Sequence, residues 1–170
     1  MKTIKARQLS PEAFQKYGVY QNLLDTDELA KKSLLPPFGF FPDMITLDFD
    51  SRSLPTVSVC HVTRTEKNIV SFLEAHQYTC EGLLPLDGDV IIFVGAAFGE
   101  PKTFSVEMLE AFIVPKGTFV KLNSMVLHGT QYPVSAQEVH ILCLLPARTF
   151  KNDMLANMIM DEDKRAEIVF

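Results

Sequence analysis

Cysteine is scarce in this 170-residue chain. Cys60, Cys80 and Cys143 are odd in number, and no two share a Cys-x-x-Cys spacing. That argues against a disulfide framework and reads as reduced, mostly buried thiols in a cytoplasmic protein. Cys143 in HILCLLP and Cys60 in VSVCHV read as core residues. Cys80 adjoins Glu81, and a neighbouring carboxylate raises a thiol's pKa rather than activating it. Clustered positive charge is also missing. No basic cluster exceeds Lys31-Lys32, the net charge is -5 and the pI is about 5.3. An acidic surface without a basic stripe argues against nucleic acid and anionic membranes as partners. Long apolar runs are absent too. VIIFVGAAF and ILCLLPA are too short to span a bilayer, and the opening MKTIKARQLSPEAF lacks a signal peptide's apolar core. The chain shows no internal repeat, low-complexity linker or composition break, so residues 1–170 are read as one domain.

What is present suits a folded domain with a real core: 47% hydrophobic and 22% charged residues. LSPEAFQKYG predicts a short helix, with Ser10 as N-cap, Pro11 at the first helical position and Gly18 at the stop. LDTDELAKKS carries no clear pattern. LLPPFGFFPD, with three prolines, predicts a loop whose aromatics (Phe38, Phe40, Phe41) line a pocket or, the favoured alternative, pack on the main body. From Met44 the period becomes two. MITLDF, TVSVCHV, YTCEGLLPL, DVIIFVGAAF, MLEAFIVP, TFVKLNS and VHILCLLP all read as short strands. VSFLEAH begins as a strand or a turn of helix. Many short strands with close turns predict a mainly β sandwich or barrel. The tail, KNDMLANMIMDEDKRAEIVF, predicts a C-terminal helix.

Chemistry concentrates in EAHQYTCEGLLPLDGD. Glu74 and His76 are two apart, so on a strand they share a face. Glu81 opens the next apolar segment, and Asp87-Gly88 predicts a hairpin. An acidic and imidazole face in a barrel mouth suits a metal or a proton-transfer pair. His61 and His140 read as hydrogen-bonded strand residues. Gly88 and Gly117 read as turn glycines that need positive φ.

The spacing His76, Glu81, Gly88 resembles the second half of the first cupin motif, with Glu74 where that motif has its first histidine. Pro115-Lys116-Gly117 resembles the start of the second cupin motif, with Val120 at the histidine position. LSPEAFQKYG, LEAHQYTCEGLLPLDGDVIIFV and LEAFIVPKGTFVKLNSMVLHG resemble, in order, segments of the ureidoglycolate lyase family. That likeness covers most of residues 9 to 130. It implies a cupin-like double-stranded β-helix, a mainly β barrel with a short N-terminal helix and a C-terminal helical tail. It also implies a homodimer that cleaves ureidoglycolate into glyoxylate and urea. The family's polar segment is replaced here by PPFGFFPDMITL, and of its late histidines only His128 remains.

On that resemblance the expected catalytic residues are His76, Glu81 and His128, with His76 as base and Glu81 as acid. Glu74 orients the His76 ring and, with Lys121, binds substrate. A divalent metal held by His76 and Glu81 is the alternative role for that pair. Two other functions fit the same pattern: a cupin enzyme acting on a different small hydroxy acid or sugar, and a non-catalytic module that holds a metabolite.

Overall fold

The structure, a computed structural model, describes residues 1–33, 39–49 and 53–170. Its elements in chain order are β1 (Lys2–Gln8), α1 (Pro11–Phe14), β2 (Gly18–Asn22), α2 (Thr26–Lys32), β3 (Pro55–Thr63), β4 (Asn68–Val70), β5 (Phe72–His76), β6 (Glu81–Pro85), β7 (Val90–Ala96) and β8 (Glu110–Val114). Then follow β9 (Thr118–Leu122), β10 (Val126–Leu127), β11 (Tyr132–Pro133), β12 (Glu138–Pro146), α3 (Thr149–Asn152), β13 (Met154–Met158) and β14 (Ala166–Val169). Among the described residues, no helix is long and apolar enough to cross a membrane.

Two sheets face each other. One is antiparallel, in the order β2-β9-β6-β12-β3. The other runs β10-β7-β8-β1-β14-β4, with β11 also pairing β7, and is mixed because β1 lies parallel to both β8 and β14. Alternation along the strands explains why they close on each other. Leu83, Val120, Leu122 and Ile141 from the first sheet meet Ile92, Val94, Phe112 and Val114 from the second in one buried cluster. The opposite pleat of β7 sends Ile91 and Phe93 into a second cluster with Ile4, Leu73 and Ile168. β7 is thus buried on both faces, which is why VIIFVG reads as a continuous apolar run rather than an alternating one. The result is a mainly β, cupin-like barrel, as the sequence predicts.

Several local expectations hold. Ser10 caps α1, its Oγ accepting the Ala13 N–H at 3.3 Å, and Pro11 occupies the first turn. The uncertain LDTDELAKKS segment is α2, capped by Asp25 and closed by Lys31 and Lys32 in its last turn. VSFLEAH is strand.

Others are corrected. The tail is helical only in α3 and in a 3₁₀ turn at Glu162–Lys164; the rest supplies β13, paired with β5, and β14, wedged between β1 and β4. Apolar side chains of the tail gain burial there, Ile168 and Ala166 being fully enclosed, and tertiary burial outweighs local helix propensity. MITLDF forms no strand, only an isolated bridge between Phe49 and Thr79. Of the loop aromatics, Phe40 is 68% exposed, Phe41 is half-buried, and Phe38 lies outside the described residues. Asp87-Gly88 joins two strands, but not as a hairpin: β6 and β7 belong to opposite sheets. The turn is instead tied to β12, because Asp87 accepts the His140 N–H at 2.8 Å. Gly88 is needed for space, since a Cβ there would meet Val139 Cγ2 at 2.8 Å, whereas Gly117 does take a positive φ of 76°.

Candidate functional site

β5 carries Glu74 and His76 on one pleat, while Leu73 and Ala75 on the other pleat enter the apolar cluster behind it. β6 begins with Glu81, which pairs across to Leu122 and faces the barrel interior with Leu83. His128 follows β10, and its backbone exchanges two 2.9 Å hydrogen bonds with Glu74. Three separate pieces of chain therefore deliver four polar side chains to one end of the barrel interior.

Met125 fixes the last piece. It is held in the left-handed region at φ 58°, unusual for a long side chain. Its N–H donates to the His76 carbonyl at 2.8 Å, and its own carbonyl accepts the Ala97 N–H at 2.9 Å. β10 is thereby locked beside β5, and His128 beside His76. Sequence reasoning missed Met125, since nothing in NSMVLHG signals a strained residue.

The cluster is closed over: His76, His128 and Glu81 are 2%, 4% and 7% exposed. Glu81 Oε2 lies 2.8 Å from His128 Nε2 and 3.5 Å from His76 Nε2. Glu74 Oε1 lies 3.9 Å from His128 Nε2. The two imidazole centroids are 5.2 Å apart. His128 Nδ1 donates to the Val126 carbonyl at 2.9 Å, which fixes the ring and turns Nε2 toward the carboxylates.

Charge follows from this geometry. Burial alone would raise the Glu81 pKa, but the adjoining His128 and His76 pull it down to about 2. Burial alone would lower that of His128, but Glu81 and then Glu74 lift it to about 9. Glu74 is raised, first by burial, with His128 acting against that rise. His128 and Glu81 form a buried ion pair.

That pair leaves polar atoms unsatisfied. Both ring nitrogens of His76, and Nε2 of His128, are buried without an aligned hydrogen-bond partner. The 2.8 Å contact is at ion-pair distance but lies off the N–H direction. Buried orphan nitrogens are costly and need an explanation. A divalent cation fits. Glu74, His76 and His128 each offer a ligand atom, all within 4.8 Å of one another, and Glu81 adjoins both imidazoles. Two imidazoles and carboxylates are the donor set that first-row divalent ions take, with bonds of about 2.1 Å. His128 carries the backbone acceptor on its far nitrogen that metal-bound histidines usually have.

His76, Glu81, His128 and Glu74 are thus brought together, and Lys121 is not. Its neighbours Val120 and Leu122 point inward with Glu81 and Leu83, so the Lys121 side chain leaves by the outer face of the sheet and pairs with Asp48. His61 and His140 stack on that outer face, 4.6 Å between centroids, and bond to Glu138 and Asp87. Cys143 and Cys80 are buried, and burial is the main reason their pKa values are raised, that of Cys143 to about 12.

No family model matches the chain, and no curated protein matches it. Solved structures do. Oxalate decarboxylase of Bacillus subtilis, described with Mn(II) centres, is 14% identical over 55% of this chain and 22% of its own, with a TM-score of 0.41. Hydroxypropylphosphonic acid epoxidase of S. wedmorenis is 15% identical over 54% of this chain and 42% of its own, TM-score 0.37. RmlC of Streptococcus suis, solved with dTDP-D-xylose, is 12% identical over 54% and 43%, TM-score 0.38. Each match spans less than half of the other chain.

Proposed function

We propose that the chain is a small-molecule enzyme whose centre is the buried Glu74–His76–Glu81–His128 cluster, that a divalent cation binds there, and that the reaction is a carbon–nitrogen lyase step of the ureidoglycolate type. One observation carries the cation assignment: three buried imidazole nitrogens lack aligned partners, and two of them, His76 Nε2 and His128 Nε2, lie beside the Glu81 and Glu74 carboxylates. A bound cation would supply Lewis-acid polarisation of a substrate oxygen.

The chain's own groups supply the proton transfers. Ureidoglycolate carries a hydroxyl and an amide nitrogen on one carbon. Glu74, whose pKa is raised by burial and whose side chain is 15% exposed, is suited to accept the hydroxyl proton. The O–H electrons form the new carbonyl, the C–N bond breaks, and its electron pair stays on nitrogen. Return of the proton from Glu74 to that nitrogen completes urea, and glyoxylate is the other product. Glu81 and His128 hold the geometry: as a charged pair without the cation, and, with His128 neutral at Nε2, as groups that would hold the cation when it binds.

A second substrate class has its own support. Lys121, the expected carboxylate anchor, pairs with Asp48 on the outer face of the sheet. A sugar, which carries no carboxylate, fits a site where Lys121 supplies no anchor; another small hydroxy acid would need its carboxylate held by the cation itself. The test is glyoxylate release from ureidoglycolate by wild type and by Glu74→Gln. Turnover that falls about 10²-fold or more in the variant supports the lyase. Wild-type protein without turnover, after loading with manganese or zinc, rules out this substrate.

A further inference from the structure

α3 sits directly over the cluster. It starts at Arg148, held in the left-handed region at φ 65°, and Thr149 Oγ1 donates to the Pro146 carbonyl at 2.7 Å. At its far end, the Asp153 carboxylate accepts the N–H groups of Gln77 and Tyr78 at 2.9 and 3.0 Å, immediately after His76. Met154 then pairs with His76 across β13 and β5. The turn is therefore tied at its start to the end of β12 and at its far end to β5, the strand that carries Glu74 and His76.

One side chain of the turn is out of character. Phe150 is 57% exposed, yet its ring stands edge-on to His76, with centroids 6.3 Å apart and planes 78° from parallel. A large aromatic left in water contributes little to the core. Here one side of the ring meets solvent and the other meets an imidazole that is 2% exposed.

We infer that Phe150 is the access-determining residue of the buried cluster: its ring is the door between solvent and His76, and its size limits what reaches the site. The inference rests on the cluster being the functional centre. Because the backbone around it is tied down, opening requires rotation of this one side chain, a motion of picoseconds to nanoseconds for an exposed residue. The size of the side chain at position 150 therefore sets the size of solute that passes. Substituting a smaller residue enlarges the entrance without touching any cluster side chain.

The test is independent of turnover and of metal. Chelator-treated protein is exposed to diethyl pyrocarbonate, a small imidazole-modifying reagent, and each histidine is followed by peptide mass spectrometry. Wild type, Phe150→Ala, Phe150→Leu and Phe150→Trp are compared. The expected order of His76 modification rates is Ala above Leu above Phe above Trp, with about tenfold or more between Ala and wild type. His61 and His140, on the outer face, serve as references and hold constant. The tryptophan variant keeps an aromatic ring in place, so a slower His76 there cannot come from unfolding. A His76 rate that ignores the size of residue 150 overturns the inference and assigns the approach to the Glu74 side. Metal retention by the same variants, measured separately, reports on the cluster itself: a cluster that binds no cation while the rates still follow residue 150 refutes the proposed centre but not the door.

Discussion

His128 Nε2 lies 2.8 Å from Glu81 Oε2, and both side chains are shut away from water. Removing one partner from such a pair leaves an uncompensated charge inside the barrel. Glu81→Leu is expected to cost about 3–5 kcal/mol in urea unfolding of metal-free protein. The double variant Glu81→Leu/His128→Leu removes both charges and should recover much of that loss. A single variant as stable as wild type would mean the pair is not ionised.

The same pair sets the pH response. His128 holds its proton more tightly folded than unfolded, its value raised from 6.5 to about 9, so its contribution is full below 6.5 and disappears as pH rises through about 9. Glu81 is lowered from 4.5 to about 2, so its contribution is present above 4.5 and disappears as pH falls through about 2. The Tm of chelator-treated protein should therefore decline between pH 6.5 and 9. His128→Phe should flatten that limb, and a flat wild-type profile over the same span contradicts the assignment.

Gly18 was expected to stop α1 and instead opens β2. A Cβ at this position would fall 1.8 Å from the Lys121 carbonyl oxygen, a backbone atom that cannot swing aside. Gly18→Ala must push β2 off β9. We expect a loss of about 1–3 kcal/mol or more, read as a lower urea midpoint.

Phe112 is fully buried where the two sheets meet, edge-on to Phe14 at 5.4 Å between centroids, with Arg7 over its face. Phe112→Ala should cost about 3–5 kcal/mol by cavity formation. Cluster residues lie elsewhere in the barrel, so cation retention at low temperature should survive in the fraction that stays folded.

Much of this architecture was legible in the sequence. Period-two alternation in TVSVCHV and VHILCLLP gave β3 and β12, where one face is more buried than the other; TFVKLNS gave β9, although both of its faces are largely buried. The short spacing from Glu74 to Glu81 named three members of the cluster, since residues two apart on a strand share a face. What stayed hidden depends on distant partners. β1 and β14 make sense only as parallel neighbours, and a C-terminal strand of mixed polarity has no local mark. Asp87-Gly88 looks like a hairpin from its dipeptide, yet the chain changes sheets there because the carboxylate is taken by His140. Lys121 looked like a site residue from its neighbourhood in sequence, but one step along a strand reverses the face. Met125 became visible only through its φ.

The central claim is that Glu74, His76, Glu81 and His128 bind a divalent cation. The most direct measurement loads wild type, His76→Ala and His128→Ala with manganese, removes free ion by gel filtration and determines metal by elemental analysis. Stoichiometric manganese in wild type, lost from both variants while their folded circular dichroism spectra persist, is the predicted result. Manganese held equally by the variants, or by none of the three proteins with zinc also failing, would contradict it.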